Sequence, residues 1–320
     1  MYSQCENFLK RCIACFPEYY EGNTTNHLTL MYFTLGSLQL LGKDGGMTDD
    51  DRVKMKEYIY AQQCVTGGFE GGPLGAGKYR RSSVANTYVA LAMLRMLGDD
   101  LAGVNRDALL GELRTLQMED GNFLSALIDG EAGESGDLRF VYSACAISYM
   151  LKDWSGIDKE KAIEFILACQ NLDGAFGQLP CLESHGGSTY CALAALALMG
   201  ALDRLERKKD LICWLVMKQT TGFCGRVNKI PDACYAFWVG ASLKILGVYD
   251  HVVNKNALIG FMDSCQSSKG GFAKYPKVYP DILHTYCSLA GLSLCGVPDI
   301  APLDPLINVP LSVKEFMDAN

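Results

Sequence analysis

Positive charge is in deficit in this 320-residue chain: 29 Lys and Arg stand against 36 Asp and Glu, a net charge of −7. A surface built for nucleic acid or an anionic membrane is therefore not expected. Any site for a polyanion has to concentrate its cations locally. Long apolar runs are missing too. The longest, CALAALALMGAL (Cys191–Leu202), contains a glycine and falls short of the ~18 residues of a membrane span. The start, MYSQCENFLKRC, has no apolar h-region, so a cytoplasmic location without stable membrane insertion is expected. Cys12 and Cys15 form a CxxC, but no second pair stands at zinc-ribbon spacing. The acid motifs DxDD and DDxxD do not occur, and the acidic cluster MTDDDR reads as a polar loop.

Cysteine is not scarce. Fourteen are present, scattered through apolar runs (Cys145, Cys169, Cys191, Cys213, Cys287). That placement indicates reduced, buried thiols rather than a disulfide framework. With 49% hydrophobic residues, the chain can bury a large core, and residues 1–320 are read as a single domain.

The chain repeats itself. Gly-Phe loops recur at Phe69, Phe123, Phe176, Phe223 and Phe272, at intervals of 54, 53, 47 and 49 residues. A glutamine precedes each loop: Gln63, Gln117, Gln170, Gln219 and Gln266. An Ala- and Leu-rich run follows each one, such as TYVALAMLRML or TYCALAALALM, and an earlier copy without its loop stands at His27–Leu41. The runs are too long for buried strands and rich in helix formers. Apolar nearly all round, they suit inner helices covered on the outside. Amphipathic segments between them, such as NRDALLGELRTLQ, suit the covering. The expected fold is all-α, with about six helix pairs stacked as an open solenoid or closed into a ring.

One stretch carries the chemistry: GRVNKIPDACYAFW, Gly225–Trp238. Pro231 fits the first turn of a helix, which places Cys234 and Trp238 on one face and Asp232 and Tyr235 on neighbouring positions. His284, in HTYCSLAGLSL, opens the next inner helix. A carboxylate, a thiolate and an imidazole are ordinary zinc ligands, and three of them leave a fourth position open for chemistry. The alternative is a helix cap, a core thiol and a surface histidine. His185 and Arg139 open the two preceding inner helices, and Arg226, Lys229 and Tyr235 belong to the same tier. Such donors suit a diphosphate; solvated rim charges are the alternative. The inner-helix aromatics Tyr142, Tyr190, Tyr235, Phe237 and Trp238 fill the core, or line an apolar pocket if the ring closes.

The stretches GRVNKIPDACYAFW, ESHGGSTYC, DLRFVYSAC and GGFAKYPKVYPDILHTYC, in their order along the chain, resemble the β subunits of protein prenyltransferases. The resemblance spans roughly His27 to Cys295. It implies a closed α/α barrel (toroid), a catalytic zinc, an apolar funnel for an isoprenoid and a heterodimer with a helical α subunit. Carried over by position, Asp232, Cys234 and His284 are the zinc ligands. His185, Arg226, Lys229 and Tyr235 form the diphosphate pocket with Arg139 nearby, and Trp238, Phe140 and Tyr190 wall the channel.

Two positions resemble type I geranylgeranyl enzymes. Thr29 stands where farnesyl enzymes have a Trp that shortens the funnel. Lys274 stands where they have an Asp that helps hold magnesium, so magnesium is not expected to be required. The implied reaction joins a geranylgeranyl group from its diphosphate to the cysteine of proteins ending in CaaX, such as small GTPases. A farnesyltransferase β subunit and a non-catalytic α/α toroid that binds proteins are the alternatives. Ser83 departs from a His common in type I relatives, and the Gln63–Ser83 segment reads as shortened, which bears on peptide selectivity.

Overall fold

The computed structural model describes the chain apart from residues 1, 17–19, 21, 44, 74–80, 129–130, 133–135 and 320. Residues 74–80 of the segment read as shortened lie outside the described residues. Each Ala/Leu-rich run forms a helix: α2 (His27–Leu40), α4 (Val84–Met96), α6 (Leu138–Met150), α8 (Gly186–Met199), α10 (Tyr235–Ile245) and α13 (Ile282–Cys295). Each packs on the next, and α13 returns to pack on α2. The runs therefore close into a ring, and burial on all sides explains why they carry almost no polar face.

The amphipathic segments form the covering layer: α1 (Ser3–Ala14), α3 (Asp49–Ala61), α5 (Arg106–Leu116), α7 (Lys159–Ala168), α9 (Lys208–Val216) and α12 (Lys255–Cys265). A short α11 (Tyr249–Val252) joins α10 to α12, and α14 (Leu311–Ala319) ends the chain. Among the described residues this makes six inner and six outer helices. Three two-residue antiparallel pairs complete it: β1 (Leu127–Ile128) with β2 (Glu131–Ala132), β3 (Phe272–Ala273) with β4 (Pro280–Asp281), and β5 (Leu303–Asp304) with β6 (Val309–Pro310).

The repeated Gln and Phe have a common purpose. Each glutamine bridges the phenylalanine of its own loop through the backbone, and all five rings are buried, each worth roughly 1.5–3 kcal/mol. Three of the glutamine side chains, Gln63, Gln117 and Gln219, also reach the cap of the next outer helix. Gln117 exchanges hydrogen bonds with the backbone of Asp158, which caps α7, and Gln219 does the same with Asn254, which caps α12.

The loop glycines sit against that same neighbour. Gly67, at φ +103°, lies so close to α5 that a Cβ there would come within 2.1 Å of the Leu109 nitrogen. Gly270, at φ +93°, would meet the Gln4 carbonyl at 2.0 Å. The last loop thus packs on the first helix, so the outer layer closes as the inner one does.

Two local readings are corrected. MTDDDR is not a loop: Thr48 and Asp51 form a capping box, and Asp49–Asp51 are the first turn of α3, where acidic side chains suit the helix dipole. Pro231 is not in a helix. Asp232 N–H donates to the Phe223 carbonyl and Ala233 N–H to the Lys274 carbonyl, so these amides tie neighbouring loops together and α10 starts only at Tyr235.

Candidate metal centre and anion cradle

Cys234 is the N-cap residue of α10, and its N–H donates to Asp232 Oδ1 at 3.0 Å. The link from Ala233 to Lys274 brings the loop before α13 alongside, and His284 sits in the first turn of that helix. Asp232, Cys234 and His284 each offer one ligand atom, and all three atoms lie within 4.8 Å of one another. Zinc ligands in a tetrahedron stand about 3.3–3.8 Å apart, given bonds of about 2.0–2.3 Å. Sub-ångström to ångström adjustments of the side chains bring this set into one shell. Among the described residues it is the one such cluster of His, Cys, Asp or Glu. All fourteen cysteines are free thiols, including the Cys12–Cys15 pair.

The electrostatics are those of a cation site filled by protons. His284 Nε2 faces Asp232 Oδ1 at 3.3 Å, and Nδ1 faces Asp281 Oδ2 at 2.7 Å. Burial pulls the imidazole pKa down, but hydrogen bonds to both carboxylates outweigh it and lift it to about 9. Burial alone would raise Asp232; hydrogen bonds from His284 and Cys234 hold it below the usual carboxylate range. Burial, then Cys287 and Asp232, push the Cys234 thiol well up.

Asp281 escaped the sequence reading. It caps α13 by accepting from His284 N–H and also orients the imidazole through Nδ1, a common partner for a metal-bound histidine. The signal was there: an aspartate three residues before a histidine at a helix start.

Beside the ligands is a cavity of about 250 Å³ lined by Arg226, Lys229, Asp232, Tyr235 and Lys274, with Gly225, Ile230 and Tyr275. Gly225 is required there, because a Cβ would stand 1.9 Å from the Tyr235 ring. Lys274 Nζ lies 3.5 Å from Asp232, and Arg226 pairs loosely with exposed Glu183 at 3.4 Å. Lys229 has no ion pair among the described residues. The Arg226–Glu183 pair, exposed on both sides, is worth little and exchanges readily for an incoming anion.

His185 caps α8. Its Nδ1 accepts from Gly187 N–H at 2.9 Å, and its Nε2 stands 3.0 Å from the Tyr235 hydroxyl. Those partners assign the proton to Nε2, and burial followed by Arg226 lowers the imidazole pKa, keeping it neutral. The tyrosine hydroxyl then accepts from His185 and keeps its own proton to donate. His185 thus acts on the cavity through Tyr235.

The remaining expected residues lie elsewhere on the barrel. Arg139, on α6, forks onto Asp137 and stands over the Phe140 ring at 5.5 Å. Its charge reaches His185, but it does not line the cavity. Trp238 packs on Tyr190 at 5.2 Å and on Phe237 at 4.8 Å. Thr29, in the first turn of α2, donates to Asn86 Oδ1 at 3.3 Å. Ser83 caps α4 by accepting from Asn86 N–H.

A ring of inner helices, with potential metal ligands and an anion cavity at the start of two of them, defines a toroid with a site at one end. The chain belongs to the prenyltransferase alpha-alpha toroid domain family, which it matches over residues 2–309. Among its relatives are the geranylgeranyl transferase type-1 subunit beta of Dictyostelium discoideum, 40% identical over 94% of this chain and 93% of the relative, and that of Arabidopsis thaliana, 39% identical over 95% and 87%. The solved structure of Candida albicans protein geranylgeranyltransferase-I, complexed with GGPP, superposes with a TM-score of 0.91 at 27% identity, covering 98% of this chain and 97% of that one.

Proposed function

We propose that the chain is the β subunit of a protein geranylgeranyltransferase of type I, acting as one toroidal domain in a heterodimer with an α subunit. The observation that carries the chemistry is the meeting of Asp232, Cys234 and His284 within 4.8 Å beside a cation-lined cavity. Asp232, Cys234 and His284 would hold a zinc ion, which would supply a Lewis acid able to keep the acceptor cysteine of a CaaX protein as thiolate, the nucleophilic form at neutral pH.

The carbon–sulfur bond forms at C1 of geranylgeranyl diphosphate as the carbon–oxygen bond breaks and diphosphate leaves with the electron pair. Arg226, Lys229, Lys274 and the Tyr235 hydroxyl supply donors where that negative charge grows. Loss of one such donor typically costs ~10²–10³ in rate. Lys274 offers a fixed ammonium where a metal-dependent relative needs a carboxylate for magnesium, so turnover proceeds without magnesium. Thr29 leaves room for a fourth isoprene unit, and Trp238, Phe140 and Tyr190 supply apolar wall. No helix among the described residues is long and apolar enough to cross a membrane, in keeping with action in the cytoplasm.

The test is co-expression with an α subunit, followed by metal analysis and transfer assays on peptides ending in CaaX with Leu last. We expect about one zinc per heterodimer and higher kcat/KM with the C20 than the C15 diphosphate, with or without magnesium. A preference for C15 that needs magnesium would assign the farnesyl reaction instead. No stoichiometric zinc and no transfer would leave a protein-binding toroid.

A further inference from the structure

Where α2 and α4 finish, a second cavity of about 550 Å³ is lined by Gln39, Lys43, Arg95, Ser312, Val313 and Phe316, among others. It lies apart from the metal centre, since Cys234 and His284 stand where α10 and α13 begin. The C-terminal segment supplies its far wall. Residues 306–308, at the tip of the β5–β6 hairpin, accept hydrogen bonds from the hydroxyls of Tyr32, Tyr88, Tyr142, Tyr190 and Tyr286. The chain then leaves as α14, which packs on α4, while β6 packs on α2.

The two helix ends are already capped. Gly42 and Gly98 take left-handed backbones at φ +64° and +72°, and the amides that follow close the last turns, Lys43 N–H on the Leu38 carbonyl and Asp99 N–H on the Leu94 carbonyl. Arg95 is nevertheless held here, only 5% exposed. Its Nη1 and Nη2 donate to the Asp99 and Met150 carbonyls at 3.2 and 3.3 Å. The Asp99 carboxylate beside it is engaged by the Tyr60 hydroxyl, Leu101 N–H and Lys56. Arg95 therefore has no ion pair among the described residues, and its buried Nε has no acceptor.

A buried guanidinium without a counter-charge is costly, and the cavity is where a counter-charge can enter. Gln39 donates through Nε2 to the Met96 carbonyl at 2.8 Å, and its Oε1 is a buried acceptor with no donor among the described residues. Lys43, exposed and without an ion pair among the described residues, and the Ser312 hydroxyl complete the polar lining.

We propose that this cavity binds a small organic phosphate monoester that carries a hydroxyl group, of the glycerol phosphate class. Arg95, Lys43 and Ser312 come from three separate elements. A tetrahedral group with three terminal oxygens offers one to each, whereas a planar carboxylate has two. The ligand hydroxyl donates to Gln39 Oε1, and Met96, Val313 and Phe316 cover the carbon skeleton. Bound there, the ligand ties the end of α4 and the turn after α2 to α14. The site stands independently of the transferase reading, because none of its residues lines the anion cradle or belongs to the metal centre.

The test is calorimetric titration of the full chain, co-expressed with an α subunit, with glycerol phosphate and with glycerate. Glycerol phosphate should bind at least about tenfold more tightly than glycerate, the difference of one charge-assisted hydrogen bond. Lys43→Glu changes an exposed side chain and leaves the fold intact. It should weaken glycerol phosphate binding about tenfold or more while leaving transfer from C20 diphosphate unchanged. Arg95→Lys keeps the charge, loses Nε and should weaken binding as well. Saturating glycerol phosphate should raise the Tm of the native protein and not that of Lys43→Glu.

A dissociation constant above about 10 mM for glycerol phosphate overturns the proposal. So does equal affinity for glycerate, or equal affinity of the native and Lys43→Glu proteins for glycerol phosphate. Phosphatidylcholine vesicles with and without phosphatidic acid, which presents the same monoester at a surface, separate the sources. Cosedimentation that needs phosphatidic acid assigns a lipid headgroup; binding of glycerol phosphate without cosedimentation assigns a free organic phosphate.

Discussion

Lowering the pH from 8 to 6 sets protons against a divalent cation at Asp232, Cys234 and His284. In the metal-free protein His284 is an imidazolium held by two carboxylates, with a pKa of about 9, and Cys234 is a thiol whose pKa is raised by burial. Asp232 is already ionised, its pKa held low by His284 and Cys234. A zinc ion has to displace both protons, because only neutral imidazole and thiolate are ligands. At pH 7 the imidazole proton alone costs about two decades of affinity, ~2.7 kcal/mol, and the thiol adds its own share. Two displaced protons make the apparent affinity climb about 10²-fold per pH unit, or about 10⁴-fold from pH 6 to 8. Competition against a chromophoric chelator at pH 6, 7 and 8 measures the slope. Calorimetry in buffers of different ionisation enthalpy counts the protons, and two per zinc are expected. A slope of one or less would show that the imidazole and thiol do not both enter the metal shell, and the proposed centre would fail.

The same imidazolium stabilises the metal-free fold. A pKa raised from 6.5 to about 9 gives stability that is complete below pH 6.5 and lost as pH rises through 9, in all ~3 kcal/mol. Thermal unfolding in chelator should show Tm falling over that window, and His284→Gln should abolish the fall. Asp281→Asn should weaken zinc binding about 10–100-fold by releasing the imidazole, read by the same chelator competition. Thr29→Trp should move the kcat/KM preference from C20 toward C15 diphosphate; an unmoved preference would refute the steric argument at that position. Gly67→Ala places a Cβ against the α5 backbone at a positive φ and should cost at least ~1–2 kcal/mol in chemical denaturation of the heterodimer.

The repeat was legible because its signals are local. A glutamine, a Gly-Phe loop and an Ala-rich helix lie within one unit, and each unit meets its neighbour by the same contacts. Closure was not legible from the period, since it depends on α13 reaching α2 and on Gly270 reaching Gln4 across the whole chain. The ligand trio could be named, because Asp232 and Cys234 are two apart and His284 occupies the equivalent start of the next inner helix. The proline was misread because a helix-start signal was overruled by hydrogen bonds from Asp232 and Ala233 to distant carbonyls. MTDDDR was misread because polarity alone does not separate a loop from a capped helix start. The hairpin at residues 303–310 left no pattern to find: its tip is chosen by five tyrosines on five different helices.

Gly270 resting on Gln4 has a consequence for how the molecule is made. During synthesis α1 leaves the ribosome well before the loop that covers it. The nascent protein therefore carries an unmatched amphipathic helix until that loop follows. Removing α1, Ser3–Ala14, would not trim a dangling end. It would break the circle at its seam and leave the final repeat facing water.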